Sequence, residues 1–350
     1  MADRISVIGW TRRGDRPTEL ADVLGGEARV IFTPKLAHPA LLPLRYATCA
    51  LIMVAYLARR RPDALVVVNP PLWPGLIGWA YSRLAGARLV LDSHPGGFGA
   101  QGHSVERRLQ AIHRFLVRRA AGVLVTTQHW IDVVESWGGT ARIVHEPPRD
   151  RDVPVRGSDD GDDDARPIAM FVCIFAPDEP VGAVIDAARL APHVEWWITG
   201  DAAKAPPGAL DDLPANIRLT GYLGPADYDD ALIGADVVVA LTTEPTSIMR
   251  AAYEAVYALR PLVVSDHPDA VEVFPHAVAT ANHATDIAAA VDEVLARPDP
   301  DGAAWTARAA QQQMWVAQRS GLEQIVHGTP SPDDHPPAES RPRREAVTTS

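Results

Sequence analysis

Polar residues collect where the apolar runs of this chain stop. The run Ala87–Asp92 leads into Asp92-Ser-His94-Pro-Gly96-Gly97, and Asp236–Thr242 leads into Thr246-Ser247-Ile248 and Arg250. Hydroxyls where a helix begins, backed by the free N–H groups of its first turn, suit an anion. An ordinary N-cap would use the same Thr246 and Ser247. Glu254 follows Ser247 by two helical turns, so on one helix the two share a face. A carboxylate there accepts two hydrogen bonds from a vicinal diol; a solvated helix glutamate is the plain alternative. His94 offers a polar contact to a ligand or a bond to its own loop, with Asp92 positioning that loop. Gly96-Gly97 lets a ligand approach the backbone, or merely turns it. Arg12 and Arg13, after Arg4–Trp10, add two cations. Asp178 and Glu179 offer carboxylates to hydroxyl groups, or cap the helix that follows.

Other chemistries lack their residues. No Gly-x-Gly-x-x-Gly or phosphate-loop pattern follows a strand, and Trp10-Thr-Arg-Arg-Gly-Asp15 is no dinucleotide fingerprint. No His-Glu-x-x-His helix occurs. Asp266-His267 reads as a capping pair and Asp150-Arg-Asp152 falls in a linker, so no metal is expected. Two cysteines, Cys49 and Cys173, exclude a disulfide scaffold and a Cys-rich zinc module. The net charge of −11 argues against general nucleic-acid binding. It hides a split: residues 1–150 hold 19 Lys+Arg against 12 Asp+Glu, a net of +7, and the remainder carries −18. Halves of opposite charge suit two different ligands, or reflect solubility alone.

The elements that must position these residues alternate. With 350 residues, 47% of them hydrophobic and 22% charged, the chain is long enough for two packed α/β domains. Strands are predicted at Arg4–Trp10, Ala28–Thr33, Ala64–Asn69, Ala87–Asp92 and Gly122–Thr127. Between them fall helices at Arg16–Leu24, Arg45–Arg60, Leu72–Ala85 and Val105–Ala121. Ala64-Leu-Val-Val-Val-Asn69 is the near-continuous β-branched run of a strand buried on both faces. Residues 151–167, acidic and broken by Gly and Pro, read as an exposed linker. Beyond it lie strands at Ile168–Phe175, Val194–Thr199, Ile217–Thr220, Asp236–Thr242 and Pro261–Ser265. Helices are predicted at Val181–Leu190, Tyr228–Gly234, Ser247–Ala258, Thr285–Ala296 and Ala303–Gly321, and 329–350 reads as a disordered tail. Such alternation implies doubly wound parallel sheets whose strand ends face each other across a cleft. The expected division is a domain at 1–150, the linker, a domain at 168–300, and helices at 301–328 crossing back.

The apolar stretch Ala47–Ala58 is a dozen residues, short of the roughly 20 that span a bilayer. Arg45 and Arg59-Arg60-Arg61 flank it. A buried helix of the first domain is the plainer reading. The other is a helix on the membrane surface, its arginines on anionic headgroups. The start Met1-Ala-Asp-Arg-Ile-Ser-Val-Ile8 lacks a secretory pattern, so a cytoplasmic address is expected. On the second reading the protein is peripheral on the inner face of the plasma membrane.

The second half carries a resemblance. Asn216-Ile-Arg-Leu-Thr-Gly-Tyr-Leu223, Asp236-Val-Val-Val-Ala-Leu-Thr-Thr243 and Tyr253-Glu-Ala-Val-Tyr-Ala-Leu-Arg-Pro-Leu-Val-Val-Ser-Asp266 follow in order. Their order and spacing resemble the GT-B glycosyltransferases, specifically retaining family 4. Asn69-Pro-Pro71 with Val90-Leu-Asp-Ser-His94 is similar to first-domain segments of mannosyltransferases that build lipid-linked oligosaccharides. The resemblance implies two Rossmann-like domains, the first for an acceptor and the second for a nucleotide-sugar donor. It implies transfer from a UDP- or GDP-sugar to a glycan, lipid-linked or small-molecule acceptor in polysaccharide biosynthesis. Retention of configuration is implied, with no metal and no other cofactor.

By the same resemblance His94 and Asp92 take the catalytic place. Glu254, Thr246, Ser247, Ile248, Arg250, Gly221, Tyr222, Asp178 and Glu179 take the donor, with Tyr222 against the nucleobase. Arg12, Arg13, Gly96 and Gly97 fall on the acceptor side. Three positions depart from the family pattern. Thr246 stands where the family has the first of two glutamates, and Leu259-Arg260 where it has a glycine. The loop Phe175-Ala-Pro-Asp-Glu-Pro180 has no Arg and Lys for the diphosphate. That group is left to the helix start at Thr246-Ser247, helped by Arg250 or by Arg12 and Arg13. A non-catalytic partner protein of the same fold and a nucleotide-sugar epimerase are the alternatives. Sugar transfer, co-folding with a partner, or donor isomerisation tells the three apart.

Overall fold

The computed structural model describes residues 4–12, 14–34, 38–99, 107–149, 166–297 and 300–328. The first sheet contains β1 (Ile5–Gly9), β2 (Glu27–Val30), β3 (Ala64–Asn69), β4 (Arg88–Ser93), β5 (Gly122–Val125) and β6 (Ala141–Ile143). All its pairings are parallel, in the order β2-β1-β3-β4-β5-β6. Helices α1 (Asp15–Val23), α2 (Leu42–Arg60), α3 (Trp73–Ala85), α4 (Gln110–Val117) and α5 (Gln128–Ser136) lie between the strands. Successive residues of β3 feed opposite cores, as strand geometry requires. Leu65 and Val67 join Met53 and Leu116 on one face, while Val66 joins Leu20 and Leu322 on the other.

The second sheet contains β7 (Ile168–Phe171), β8 (Glu195–Thr199), β9 (Ile217–Gly221), β10 (Val237–Ala240), β11 (Leu262–Ser265) and β12 (Val278–Thr280). It too is parallel, in the order β12-β11-β10-β7-β8-β9. Counted from β7, that is the 3-2-1-4-5-6 order of dinucleotide-binding sheets. Helices α6 (Val181–Leu190), α7 (Pro225–Gly234), α8 (Arg250–Tyr257), α9 (Pro268–Val273) and α10 (Ala284–Leu295) complete the domain. Two Rossmann-like, doubly wound domains result, the architecture read from the sequence.

The last helix, α11 (Pro300–His327), belongs to both domains. Gln311 donates to the Val273 carbonyl at its second-domain end. Further along, Trp315, Leu322, Ile325 and Val326 enter the first-domain core beside Ile5, Val7, Val90 and Leu124. The approach is close at Gly122, where a Cβ would lie 1.9 Å from Ile325 Cδ1.

Helix α2 overturns the expectation of a buried helix. It has 19 residues and is long and apolar enough to cross a membrane, by length and composition. Cys49, Met53 and Leu57, spaced by four, are its buried residues, and they face the first-domain core. The opposite side presents Leu44 (54% exposed), Leu51 (73%) and Val54 (52%), with Ala47 and Ala58 also exposed. The helix is apolar around its whole circumference, but the domain covers only one stripe of it.

Candidate functional site

Open parallel sheets take ligands beyond the carboxyl ends of their strands, where the strand order reverses. Here the order reverses between β1 and β3 and between β7 and β10. A cavity lies at each place. That of the second sheet, about 390 Å³, is bordered by Cys173 after β7, Gly200 after β8 and Tyr222 after β9. Arg250 and Glu254 of α8 close one side, and Arg149 reaches in from the end of the first domain. Gly200 has φ +99°, and a Cβ there would sit 2.6 Å from the Cys173 carbonyl oxygen, so only glycine fits this wall. Burial pushes the Cys173 thiol up to about 12, which leaves it an inert, protonated part of that wall.

Glu254 accepts hydrogen bonds from the Tyr228 hydroxyl (2.6 Å) and Arg250 Nε (3.0 Å), with Arg149 at 3.8 Å. Arg250 continues across the cleft to Glu19 (2.7 Å) and Glu146 (3.0 Å) of the first domain. Arg149 holds Glu19 from the other side at 2.5 Å. Burial would raise the Glu19 carboxyl, but Arg250 and Arg149 outweigh it and hold it below its ordinary value. At Glu146 burial wins and pushes the carboxyl up, against the pull of Arg16 and Arg250. Two guanidiniums and three carboxylates thus tie the domains together beside the cavity.

On the first domain, Arg16 donates Nε and Nη2 to the two oxygens of Asp92, both at 3.1 Å. Burial would raise the Asp92 carboxyl; Arg16 and then His94 outweigh it and hold it well below the usual range. Ionised, Asp92 only accepts. His94 Nε2, 3.3 Å from Asp92 Oδ2, therefore carries a hydrogen and donates it to that oxygen. Asp92 is the buried end of the pair and His94 the half-exposed end.

Other expected site residues fall differently. Gly96 and Gly97 lie in a buried 3-10 turn, Pro95–Phe98, pinned by the Gly97 N–H to the His94 carbonyl (2.8 Å). They shape the His94 loop and are not an open backbone. The helix start expected at Thr246-Ser247 is displaced, since α8 begins at Arg250 with Met249 as its N-cap. The cause is tertiary. Trp130 of the first domain donates its indole N–H to the Thr246 carbonyl (2.9 Å), and the Thr246 hydroxyl turns to Glu244 (2.8 Å). Ser247 is buried and Ile248 packs into the core beneath α8. Ser247 and Glu254 therefore share no helix, and the cavity walls include none of residues 246–248.

Glu179 folds onto its own loop, accepting the N–H groups of Ile174 (3.0 Å) and Ala176 (2.7 Å). Asp178 accepts from the Thr242 hydroxyl at 2.9 Å. Gly221, at φ +71°, leads into Tyr222, which is exposed at the cavity mouth. Arg12 borders the first-domain cavity, while Arg13 lies outside the described residues. Sequence reasoning missed Arg16, Glu19, Trp130, Glu146, Arg149 and Tyr228. Arg149 stood beside the acidic stretch taken as linker. The others join partners far away in the chain and leave no local signal.

Residues 2–148 match the model of the glycosyl transferase 4-like domain. No curated protein sequence is significantly similar to the chain. Among solved structures it is similar to HepE of Anabaena, in complex with UDP and glucose. That match covers 93% of this chain and 99% of the other, at 16% identity and TM-score 0.65. Sucrose-phosphate synthase of Thermosynechococcus elongatus matches over 93% and 99%, at 15% identity and TM-score 0.67. A glycosyltransferase of Rickettsia africae matches over 94% and 100%, at 10% identity and TM-score 0.61. At these identities the likeness is one of fold.

Proposed function

We infer that this chain, a GT-B glycosyltransferase whose residues 2–148 form a glycosyl transferase 4-like domain, moves a sugar from a UDP-sugar to an acceptor held by that domain. The observation that carries this reading is the second-sheet cavity, where Glu254, Arg250 and Arg149 meet. HepE, similar in fold, is known with UDP and glucose. The nucleobase lies against Tyr222 and the ribose diol bonds to Glu254. That carboxylate has about four lone-pair sites and so accepts a diol as well as Tyr228 and Arg250. Arg149 and Arg250 receive the diphosphate and take the place of the cations missing from Phe175–Pro180. They also stabilise the charge that builds on the departing diphosphate, which is the work a metal would do.

His94, oriented by Asp92, contacts the sugar beside the reacting carbon. The acceptor hydroxyl bonds to the anomeric carbon on the face the diphosphate leaves, and its proton passes to the leaving oxygen. Configuration is thereby retained. The exposed apolar side of α2, with Arg59 and Arg61 at its end, supports contact of the first domain with an anionic membrane surface on the cytoplasmic side.

The test is hydrolysis or transfer from a panel of UDP-sugars and GDP-sugars, followed by nucleotide release and by NMR of the sugar product. One UDP-sugar should be consumed, its sugar released in the donor's own anomeric configuration, and EDTA should leave the rate unchanged. Inverted product, a rate abolished by EDTA and restored by Mn²⁺, or no consumption of any UDP-sugar counts against the reading.

A further inference from the structure

The reversal point of the first sheet holds the other cavity, of about 220 Å³. Its walls are Trp10 and Arg12 after β1, Phe32 after β2, Arg45 and Tyr46 on α2, and Pro70 after β3. It opens on the same carboxyl edge of the sheet that presents His94 after β4.

The charge of this cavity is unbalanced. Arg12 lies over the Phe32 ring, 5.4 Å from its centroid, and Arg45 lies 5.6 Å from the same centroid. Two like charges are brought to one ring, and among the described residues neither forms an ion pair with a carboxylate. What sets the pair apart is that both stack on one ring and both line one cavity. On the same wall Trp10 is 8% exposed, and among the described residues its buried indole N–H has no acceptor. Stacking on aromatic rings holds guanidiniums in place but leaves their N–H forks unused. Two arginine forks with no carboxylate among the described residues line one cavity and suit an oxyanion, and the arginine fork matches phosphoryl oxygens best.

We propose that this cavity binds a phosphoryl group on the glycosyl acceptor, through Arg12 and Arg45. The proposal rests on the transferase reading above and adds the acceptor's chemical class to it. The phosphate has two sources, a soluble phosphorylated sugar or a lipid headgroup. Exposed Leu41, Leu42 and Leu44 lie beside Arg45 at the start of α2, where a lipid chain would pass.

The experiment is calorimetry on the full chain at low salt. UDP is titrated first, then inorganic phosphate with UDP saturating, so that the donor cavity is filled. Phosphate should bind the wild type, and Arg12→Gln/Arg45→Gln should bind it at least tenfold more weakly with UDP affinity unchanged. The charge-matched control Arg218→Gln/Arg308→Gln, two arginines stacked on Trp197 and Trp305 away from this cavity, should bind phosphate as the wild type does. Phosphate that ignores the wild type at millimolar concentration, or binds the Arg12/Arg45 variant equally well, overturns the proposal. A chain that ignores UDP overturns the donor reading instead; phosphate binding that depends on Arg12 and Arg45 still reports on this cavity.

Flotation with vesicles of phosphatidylcholine, with and without phosphatidylglycerol, separates the sources. Binding lost in the Arg12/Arg45 variant and kept in the control assigns a lipid-borne phosphate. Vesicle binding lost equally in both pairs overturns that form, and free phosphate bound without vesicle binding assigns a soluble acceptor.

Discussion

Arg250→Gln is the most informative single change, because Arg250 faces three carboxylates on two domains. Glu19 lies at 2.7 Å, Glu146 at 3.0 Å and Glu254 at 3.0 Å. At such distances a pair interacts by about 5 kcal/mol at an effective dielectric of about 20, before any desolvation cost. Breaking a buried pair by removing one partner typically costs about 3–5 kcal/mol. Arg250 is 29% exposed, Glu19 keeps Arg149, and Glu146 keeps Arg16 at 3.6 Å. The expected loss therefore falls at or just below the bottom of that range, about 2–3 kcal/mol at neutral pH. With roughly 300 ordered residues and about 2 cal/mol/K of melting entropy per residue, Tm should drop by about 3–5 °C.

The loss should also depend on pH. Burial already raises the Glu146 carboxyl, and removing Arg250 raises it further. The folded variant then binds a proton there that the unfolded chain does not hold, so its stability falls as pH rises. The gap to the wild type should narrow from about pH 7.5 to about pH 5.5, and Arg250→Gln/Glu146→Gln should recover most of it. Scanning calorimetry at both pH values decides the matter. A variant melting with the wild type at both, or a gap that does not change with pH, would refute the reasoning.

Three more outcomes are expected. Glu254→Gln should weaken UDP binding at least tenfold by calorimetry, as loss of a charge-assisted bond costs about 1.5–3 kcal/mol. Because Glu254 also holds Tyr228 and Arg250, Tm should fall slightly with it. Burial lowers His113 and His145 to about 4, so the unfolded chain takes up those two protons first as pH falls below about 6.5. Stability in urea should be full above that value and decline by up to about 3 kcal/mol per histidine toward pH 4, whereas a flat profile excludes buried neutral rings. Gly200→Ala must push a Cβ against the Cys173 carbonyl at φ +99°, so it should lower Tm and abolish UDP binding. Unaltered UDP binding in that variant removes the β7–β8 edge from the site.

Some of this was legible in the sequence, and the reason is local. The strand Ala64–Asn69 and the helix Val181–Leu190 coincide with their predicted spans, since a β-branched run and an amphipathic turn declare themselves within a few residues. The short strands Ala141–Ile143 and Val278–Thr280 and the helices Gln128–Ser136 and Pro268–Val273 have no predicted counterpart, since so few residues carry little of a period. Thr246-Ser247 looks like a helix cap because its chemistry is that of one. Only Trp130, in the other domain, reveals that the chain is still a loop there. The exposed side of α2 was hidden for the same reason: composition shows that a helix is apolar, not which stripe its neighbours cover. The Glu19–Arg250 bond joins positions 231 apart, and no window along the chain contains both.

The path of α11 bears on how the protein is made. The face of the first sheet bearing Val7, Val66, Val90 and Leu124 is covered in part by Leu322, Ile325 and Val326, residues translated about 200 positions after Leu124. A parallel sheet needs both faces covered. The first domain is thus discontinuous in the chain, and a nascent chain of about 150 residues leaves the ribosome with that face only partly covered, by Leu20 of α1 and Leu24 at its end. Such a chain waits, open and adhesive, through the synthesis of the whole second domain. Vectorial folding here runs backwards: the second domain can close first, and the strands of the first are sealed only by a helix made after it.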